Sequence, residues 1–207
     1  MIEKLREEDI KQVAEIHMQT MPGGIIGALG YEFLKNVYYK EYINSEYAFG
    51  YVYKEGNEAL GIATACYNSN KFLKELIKKN KFKLIYYLLK GILKDRQVLR
   101  FILERVGQND FKKDSRLDDN IKKKVMDIRA ELMIIAIKPD IRRFDIGIRL
   151  HNARLKEFKK NGIRNCKATV NSQNKKIIRF HKQFGGEVLH TFKSHGKEWC
   201  LIIYRNI

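Results

Sequence analysis

Residues Ala130 to Gly147 read AELMIIAIKPDIRRFDIG, and this stretch decides the fold. Leu132 to Ile137 is a short apolar run rich in β-branched residues, the composition of a buried strand. Lys138 and Pro139 end it, because a proline in mid-sheet removes a ladder hydrogen bond. Arg142 and Arg143 occupy the turn that follows. Beyond them Ile146, Leu150, Ala153 and Phe158 recur at helical spacing. The unit is strand, basic turn, helix start. A helix start offers unpaired backbone N–H groups and the positive end of its dipole, which suits an anion such as a phosphate. Flanking arginines add charge-assisted hydrogen bonds.

Outward from this unit the elements fall into order. The helix stops at Asn161-Gly162, and Arg164 to Val170 returns as a strand, so a parallel pair with a right-handed crossover is expected. Asn171-Ser172-Gln173-Asn174 opens a further helix through Ile177, Ile178, Phe180, His181 and Phe184, closed by Gly185-Gly186. Two strands finish the chain, Glu187 to Phe192 and Glu198 to Tyr204, around a turn at Ser194 to Lys197. Upstream, a strand at Ile2 to Leu5 leads into an acid-started helix bearing Ile10, Val13, Ile16 and His17. Met21-Pro22-Gly23-Gly24 breaks it, and a second helix runs from about Leu29 to Tyr38. Tyr47 to Tyr53 and Ala59 to Tyr67 form a hairpin around Glu55-Gly56-Asn57-Glu58. His17 reads either as a substrate ligand or base, or as a helix-face core histidine, and the last is preferred.

Between the third and fourth strands lie residues 68–126, far more than an ordinary connection. The segment holds seventeen lysines and arginines against seven acidic residues. Apolar residues from Phe72 to Val106 keep helical spacing, which predicts two or three helices ending at Gly107, with Gln108 to Lys124 as a loop. Such a basic helical insertion reads as a cap over an acceptor site, as a homodimer surface, or as an amphipathic face for peripheral contact with an anionic membrane. The cap is preferred.

Length, charge and cysteines narrow the class. At 207 residues the chain is expected to be one domain, residues 1–207. The net charge of +17 admits nucleic acid, membranes and anionic small molecules alike. Zinc-finger spacing, an aromatic-basic RNA motif and repeats are all missing, so no specific nucleic-acid partner is expected. Cys66, Cys166 and Cys200 lie far apart in apolar runs, which favours buried thiols in a reducing cytoplasm over disulfides or a metal site.

Two stretches resemble a known family. Arg142-Arg143-Phe144-Asp145-Ile146-Gly147, after a strand ending in Lys-Pro, is similar to the acetyl-CoA pyrophosphate loop of the GNAT superfamily of N-acetyltransferases, with Asp145 at its first glycine. Val170 to Gly186, VNSQNKKIIRFHKQFGG, resembles the motif Val-Asn-x-x-Asn-x-x-Ala-x-x-Leu-Tyr-x-x-x-Gly-Phe. There Asn171, Asn174, Phe180 and Gly185 match, Ile177 replaces the alanine, His181 the tyrosine and Gly186 the phenylalanine. The resemblance implies an α/β fold, a mixed central β-sheet flanked by helices.

It also implies a cofactor and roles. Acetyl-CoA would be the co-substrate, with no metal. Backbone groups at Ile135, Ala136 and Ile137 would hold pantetheine and polarise the acetyl carbonyl. The loop from Arg142 to Ile148 (with Arg143, Phe144, Asp145, Ile146 and Gly147) would hold the pyrophosphate, and Asn171 and Asn174 the pantetheine arm. Glu131 stands where histone-type members carry a base acting through water; the competing reading is a strand-end carboxylate paired with a basic residue of the insertion. His181 would be a proton donor to the leaving thiolate, an imidazole near its ordinary pKa of about 6.5 being suited to that task; otherwise it only packs. The implied reaction is acetyl transfer to a primary amine of a small molecule or amino sugar. A non-catalytic CoA-binding protein and a membrane-associated acyltransferase using a longer acyl-CoA are the competing readings.

Overall fold

The computed structural model describes residues 1–21, 25–94, 125, 127–141, 143–194 and 197–207. The chain begins with β1 (Ile2–Lys4), a 3-10 turn at Glu7–Asp9 and α1 (Ile10–Thr20). The Arg6 N–H donates to the Asp9 carboxylate at 3.0 Å, which closes the acidic turn ahead of α1. Then come α2 (Ile25–Ala28), α3 (Tyr31–Phe33), a π-helical turn at Leu34–Tyr38, and α4 (Tyr39–Asn44). The helix expected to end at Tyr38 thus continues for another turn and more. Tyr39 and Tyr42 carry it on, because both are buried and the Tyr42 ring packs 4.6 Å from Phe72.

A hairpin of β2 (Ala48–Glu55) and β3 (Glu58–Cys66) turns at Gly56, whose φ of +58° suits glycine. After α5 (Ser69–Lys79) and α6 (Lys81–Lys94) come β4 (Glu131–Ile137), α7 (Phe144–Lys160) and β5 (Cys166–Asn171). The chain closes with α8 (Lys175–Gln183), β6 (Glu187–Ser194) and β7 (Lys197–Tyr204). Seven strands form one mixed sheet in the order β1-β2-β3-β4-β5-β7-β6. The β4–β5 pair is parallel and its neighbours are antiparallel. The last strand, not the one before it, meets β5.

Side chains alternate across the sheet and build two cores. On one face Val13, Phe33, Leu34, Tyr39, Ile62 and Ala136 pack together under α1, α3 and α4. On the other, Leu60, Ala63, Ile146 and Leu150 pack under α7, and Phe158, Cys166, Ile202 and Tyr204 extend that layer toward α8.

The two described helices of the insertion dock on other helices. Asn80 donates to Glu41 at 2.8 Å, and Tyr87 lies 5.7 Å edge-on to Phe33. They therefore extend the α3–α4 layer. Their outer side is bare: Leu73, Ile77, Phe82, Ile85, Tyr86 and Leu89 are exposed. The expected helix end at Gly107 and the loop from Gln108 to Lys124 lie outside the described residues. All three cysteines are free and buried. Among the described residues no helix is long and apolar enough to cross a membrane, and no cluster of metal-ligating side chains occurs.

Candidate active site

The site begins where two parallel strands part. β4 and β5 pair only at Glu131 with Lys167 and Leu132 with Ala168. Just beyond, the register of β4 on β3 jumps from Leu132 opposite Ala65 to Ile135 opposite Ala63. Met133 and Ile134 thus face the single residue Thr64, a β-bulge that bends the strand. The extra residue also switches which side chains face which core. Before it Leu132 joins the α7 side; after it Ile135 and Ile137 do, while Ala136 turns to the α1 side. From Ile135 to Ile137, β4 has no β5 partner.

Polar groups freed by the bulge are satisfied from both strands and from α7. The Ile134 N–H donates to Thr64 Oγ1 at 3.3 Å. Arg154, which is 1% exposed, donates from Nη1 to the Thr64 carbonyl at 3.2 Å and to the Ile134 carbonyl at 3.1 Å.

At the open end of the parting stands the start of α7. Arg143 is its N-cap, in extended conformation. Its guanidinium donates to Glu55, to Asp145 at 3.2 and 3.3 Å, and to the Tyr53 hydroxyl at 3.2 Å. Arg149 lies 3.3 Å from Asp145. The Asp145 carboxylate is therefore engaged by two arginines, and the Arg143 hydrogen bonds hold its pKa below the usual carboxylate range. Gly147 brings the helix close to β4, since a Cβ there would lie 3.3 Å from Ile137 Cδ1. Ile146 gives its side chain to the core and its N–H to the Arg143 carbonyl at 3.3 Å, while Ile148 is exposed. Arg142 lies outside the described residues, as does the side chain of Phe144.

The remaining candidates divide between the faces. Glu131 is half-buried opposite Cys66, on the α1–α4 side, and the burial of Tyr38 and Cys66 is felt together with its charge. Among the described residues no salt bridge reaches it. Asn171 and Asn174 spend their side-chain oxygens locally, on the N–H groups of Gln173 (2.9 Å) and Ile177 (3.2 Å). Their NH2 groups remain as donors. His17 is buried, with Nδ1 2.9 Å from the Tyr39 hydroxyl, and burial lowers its pKa to about 4. That matches the packing role.

His181 lies on the α7 side, buried, with Nδ1 2.6 Å from the Tyr204 hydroxyl. Burial, then the nearby Arg154 cation, lowers its pKa to about 4. This corrects the expectation of an imidazole near 6.5: at neutral pH His181 is uncharged and has no spare proton to give a thiolate. Around it are three groups that the sequence reading missed. His151 meets Arg154 Nη2 at 3.0 Å through Nδ1 and the Tyr204 hydroxyl at 3.3 Å through Nε2. Burial and Arg154 lower its pKa to about 2. One signal was available, since Arg154 occupies the fourth-residue slot between Leu150 and Phe158 on an otherwise apolar stripe. The departure at Gly186 also has a cause. A Cβ there would lie 2.8 Å from Ile202 Cγ2, 2.9 Å from the His181 carbonyl and 3.0 Å from the Tyr204 ring, so β7 and the end of α8 leave no room for a side chain.

An open cavity of about 650 Å³ lies at the joined end of the strands, lined by Tyr67, Arg129, Ala130, Asn165 and Arg205 among others. It holds none of the candidate residues, and the parted end is the better site on chemical grounds.

No protein-family model and no curated protein matches the chain. Solved structures do match. The PaiA N-acetyltransferase of Thermoplasma acidophilum, in complex with coenzyme A, is 16% identical with a TM-score of 0.58, over 99% of this chain and 98% of that one. An aminoglycoside 6'-acetyltransferase type Ii is 12% identical with a TM-score of 0.59, over 100% and 97%. A putative acetyltransferase of the GNAT family from Desulfovibrio desulfuricans is 10% identical with a TM-score of 0.60, over 100% and 99%. At such identities the likeness is one of architecture, and the architecture is unambiguous: this chain has the GNAT acetyltransferase fold.

Proposed function

We propose that the chain is an N-acetyltransferase that moves an acetyl group from acetyl-CoA to a primary amine of a small molecule, such as an amino sugar, by direct attack in a ternary complex. The observation that carries this reading is the parting of β4 from β5 beyond Leu132, beside the basic start of α7. Acetyl-CoA supplies the activated acetyl group. The unpartnered backbone of Ile135 to Ile137 suits the pantetheine amides. Arg143, Arg149 and the first-turn N–H groups of α7 suit the diphosphate. The side-chain NH2 groups of Asn171 and Asn174 stand at the neighbouring end of β5.

Glu131 and His181 lie on opposite faces of the sheet. An amine reaching the thioester from the α1–α4 side would lose its proton to Glu131 through water, while the thiolate departs on the side of His181. A small acceptor fits an α1–α4 layer lengthened by α5 and α6, and one structural neighbour is an aminoglycoside acetyltransferase by name. Calorimetry with acetyl-CoA and a transfer assay over an amine panel test the reading. Glu131→Gln is expected to lower kcat and leave acetyl-CoA binding intact. Absence of acetyl-CoA binding overturns the proposal, and binding without turnover of any amine leaves a CoA-binding protein.

One observation favours a second reading, a membrane-associated acyltransferase. Residues 69–94 carry eight lysines against one glutamate, alongside the six exposed apolar side chains. Co-flotation with phosphatidylglycerol vesicles at low salt, lost in Phe82→Asp, is its expected result; no flotation removes it.

A further inference from the structure

The polar groups buried between α7, α8 and β7 form one chain of hydrogen bonds, and its first member sets the direction of every link. Arg154 can only donate, so His151 Nδ1, 3.0 Å from its Nη2, accepts. A neutral imidazole has a single N–H, which His151 must therefore carry on Nε2. That N–H donates to the Tyr204 oxygen at 3.3 Å. The Tyr204 hydroxyl has two acceptors within reach, His181 Nδ1 at 2.6 Å and the His181 carbonyl at 3.3 Å. The carbonyl already accepts the N–H groups of Phe184 at 3.1 Å and Gly186 at 2.9 Å, which fills its two lone pairs. The hydroxyl consequently donates to Nδ1. His181 is left with its proton on Nε2. Among the described residues the buried side-chain atoms without a partner are Glu41 Oε2 and Arg154 Nε, and His181 Nε2 is not one of them.

We propose that Arg154, His151 and Tyr204 are positioning residues that hold His181 as a neutral hydrogen-bond donor, its Nε2–H offered to the negative charge that develops during acetyl transfer. This rests on the acetyltransferase reading. No proton passes through the chain. The amine nitrogen forms the C–N bond, the C–S bond breaks with its electron pair going to sulfur, and the amine proton leaves toward Glu131. The thiolate takes its proton from solvent. A neutral imidazole kept so by its surroundings can act in this way, as an electrophilic donor rather than an acid.

The other titratable groups facing the cluster leave its charge fixed. Burial pushes the Cys166 thiol of β5 up to about 12 and the Tyr204 phenol of β7 higher still, so both stay protonated. Burial lowers Arg154 only to about 10, so the guanidinium stays charged. On α8 itself Arg179 and Lys182 are cations that add no competing acceptor. The direction of the chain is constant across the physiological range.

The test is long-range proton–nitrogen NMR of the full chain with 15N-labelled histidine, which reads tautomers whether or not the protein turns over. His151 and His181 are both expected in the Nε2–H form from pH 5 to 8. In Tyr204→Phe, His181 should acquire a population of the Nδ1–H form, and kcat should fall about 10- to 100-fold with KM for acetyl-CoA unchanged. His151→Gln, whose amide can accept from Arg154 and donate to Tyr204, should retain activity that His151→Leu loses. An Nδ1–H His181 in the native protein overturns the proposal, as does an unchanged tautomer and kcat in Tyr204→Phe. Tautomers as stated with no turnover of any amine overturn instead the acetyltransferase reading on which the donor's task depends.

Discussion

Arg143 and Arg154 belong to one helix and are held by opposite means. Arg143, at the start of α7, is partly exposed and bonded to Glu55, Asp145 and Tyr53. Water and salt screen such contacts, so they add little net stability and can be exchanged for a better anion. Arg154 is buried and among the described residues has no carboxylate partner; carbonyls of the bulge and one histidine nitrogen accept from its two Nη atoms. An exposed arginine on this helix is available to a ligand. A buried one is committed to geometry.

The largest expected effect sets the buried side against acid. His151 and His181, with His17 on the opposite face, have folded pKa values lowered from 6.5 to about 2, 4 and 4. Above pH 6.5 they are neutral folded or unfolded. Below it the unfolded chain binds protons that the folded chain refuses, so stability is lost as pH falls toward the folded values. Each histidine contributes roughly 1.4 kcal/mol per pH unit in that window. Urea midpoints at pH 7 and pH 5 measure the loss, and a flat profile would break the contrast.

Next in size is Arg154→Met, expected to lower stability by about 2–4 kcal/mol because the bulge carbonyls of Thr64 and Ile134 lose their donors. Arg143→Met should leave the urea midpoint where it is. Equal destabilisation by the two substitutions would show that burial does not divide them.

Smaller effects belong to the exposed side and appear in binding. Arg143→Glu is expected to weaken acetyl-CoA by about 10- to 100-fold in calorimetry, with unfolding unchanged. Asp145→Gly sharpens the comparison from the other direction. Releasing Arg143 and Arg149 from that carboxylate should tighten acetyl-CoA about two- to fivefold, an effect that shrinks as salt is raised.

Much of the fold was legible because its signals are local. The run Leu132 to Ile137, the stop at Lys138-Pro139 and the spacing from Ile146 to Phe158 each lie within a few residues, and together they place strand, turn and helix. The bulge was not legible. It is a relation between Met133-Ile134 and Thr64, set by the register of strands distant in sequence. Arg154 then reads as an odd charge on an apolar stripe until the bulge supplies its acceptors. Asp145 was half legible: Arg149, four residues on, is a local partner, whereas the tie from Arg143 to Glu55 crosses the fold. His181 could be located but its charge could not, because burial and a cation from another helix set it.

The bulge in β4 also bears on how such a chain can change over generations. The side chains that face α7 are even-numbered before it and odd-numbered after it, so losing either Met133 or Ile134 would restore a regular ladder on β3 with Ile135 and Ile137 still toward α7, and would remove the bulge whose carbonyls Arg154 holds. A substitution alters one contact; the loss of this one residue would straighten the strand and leave both cores in phase. Along β4 the cores can absorb the loss of one residue, and the parted site cannot.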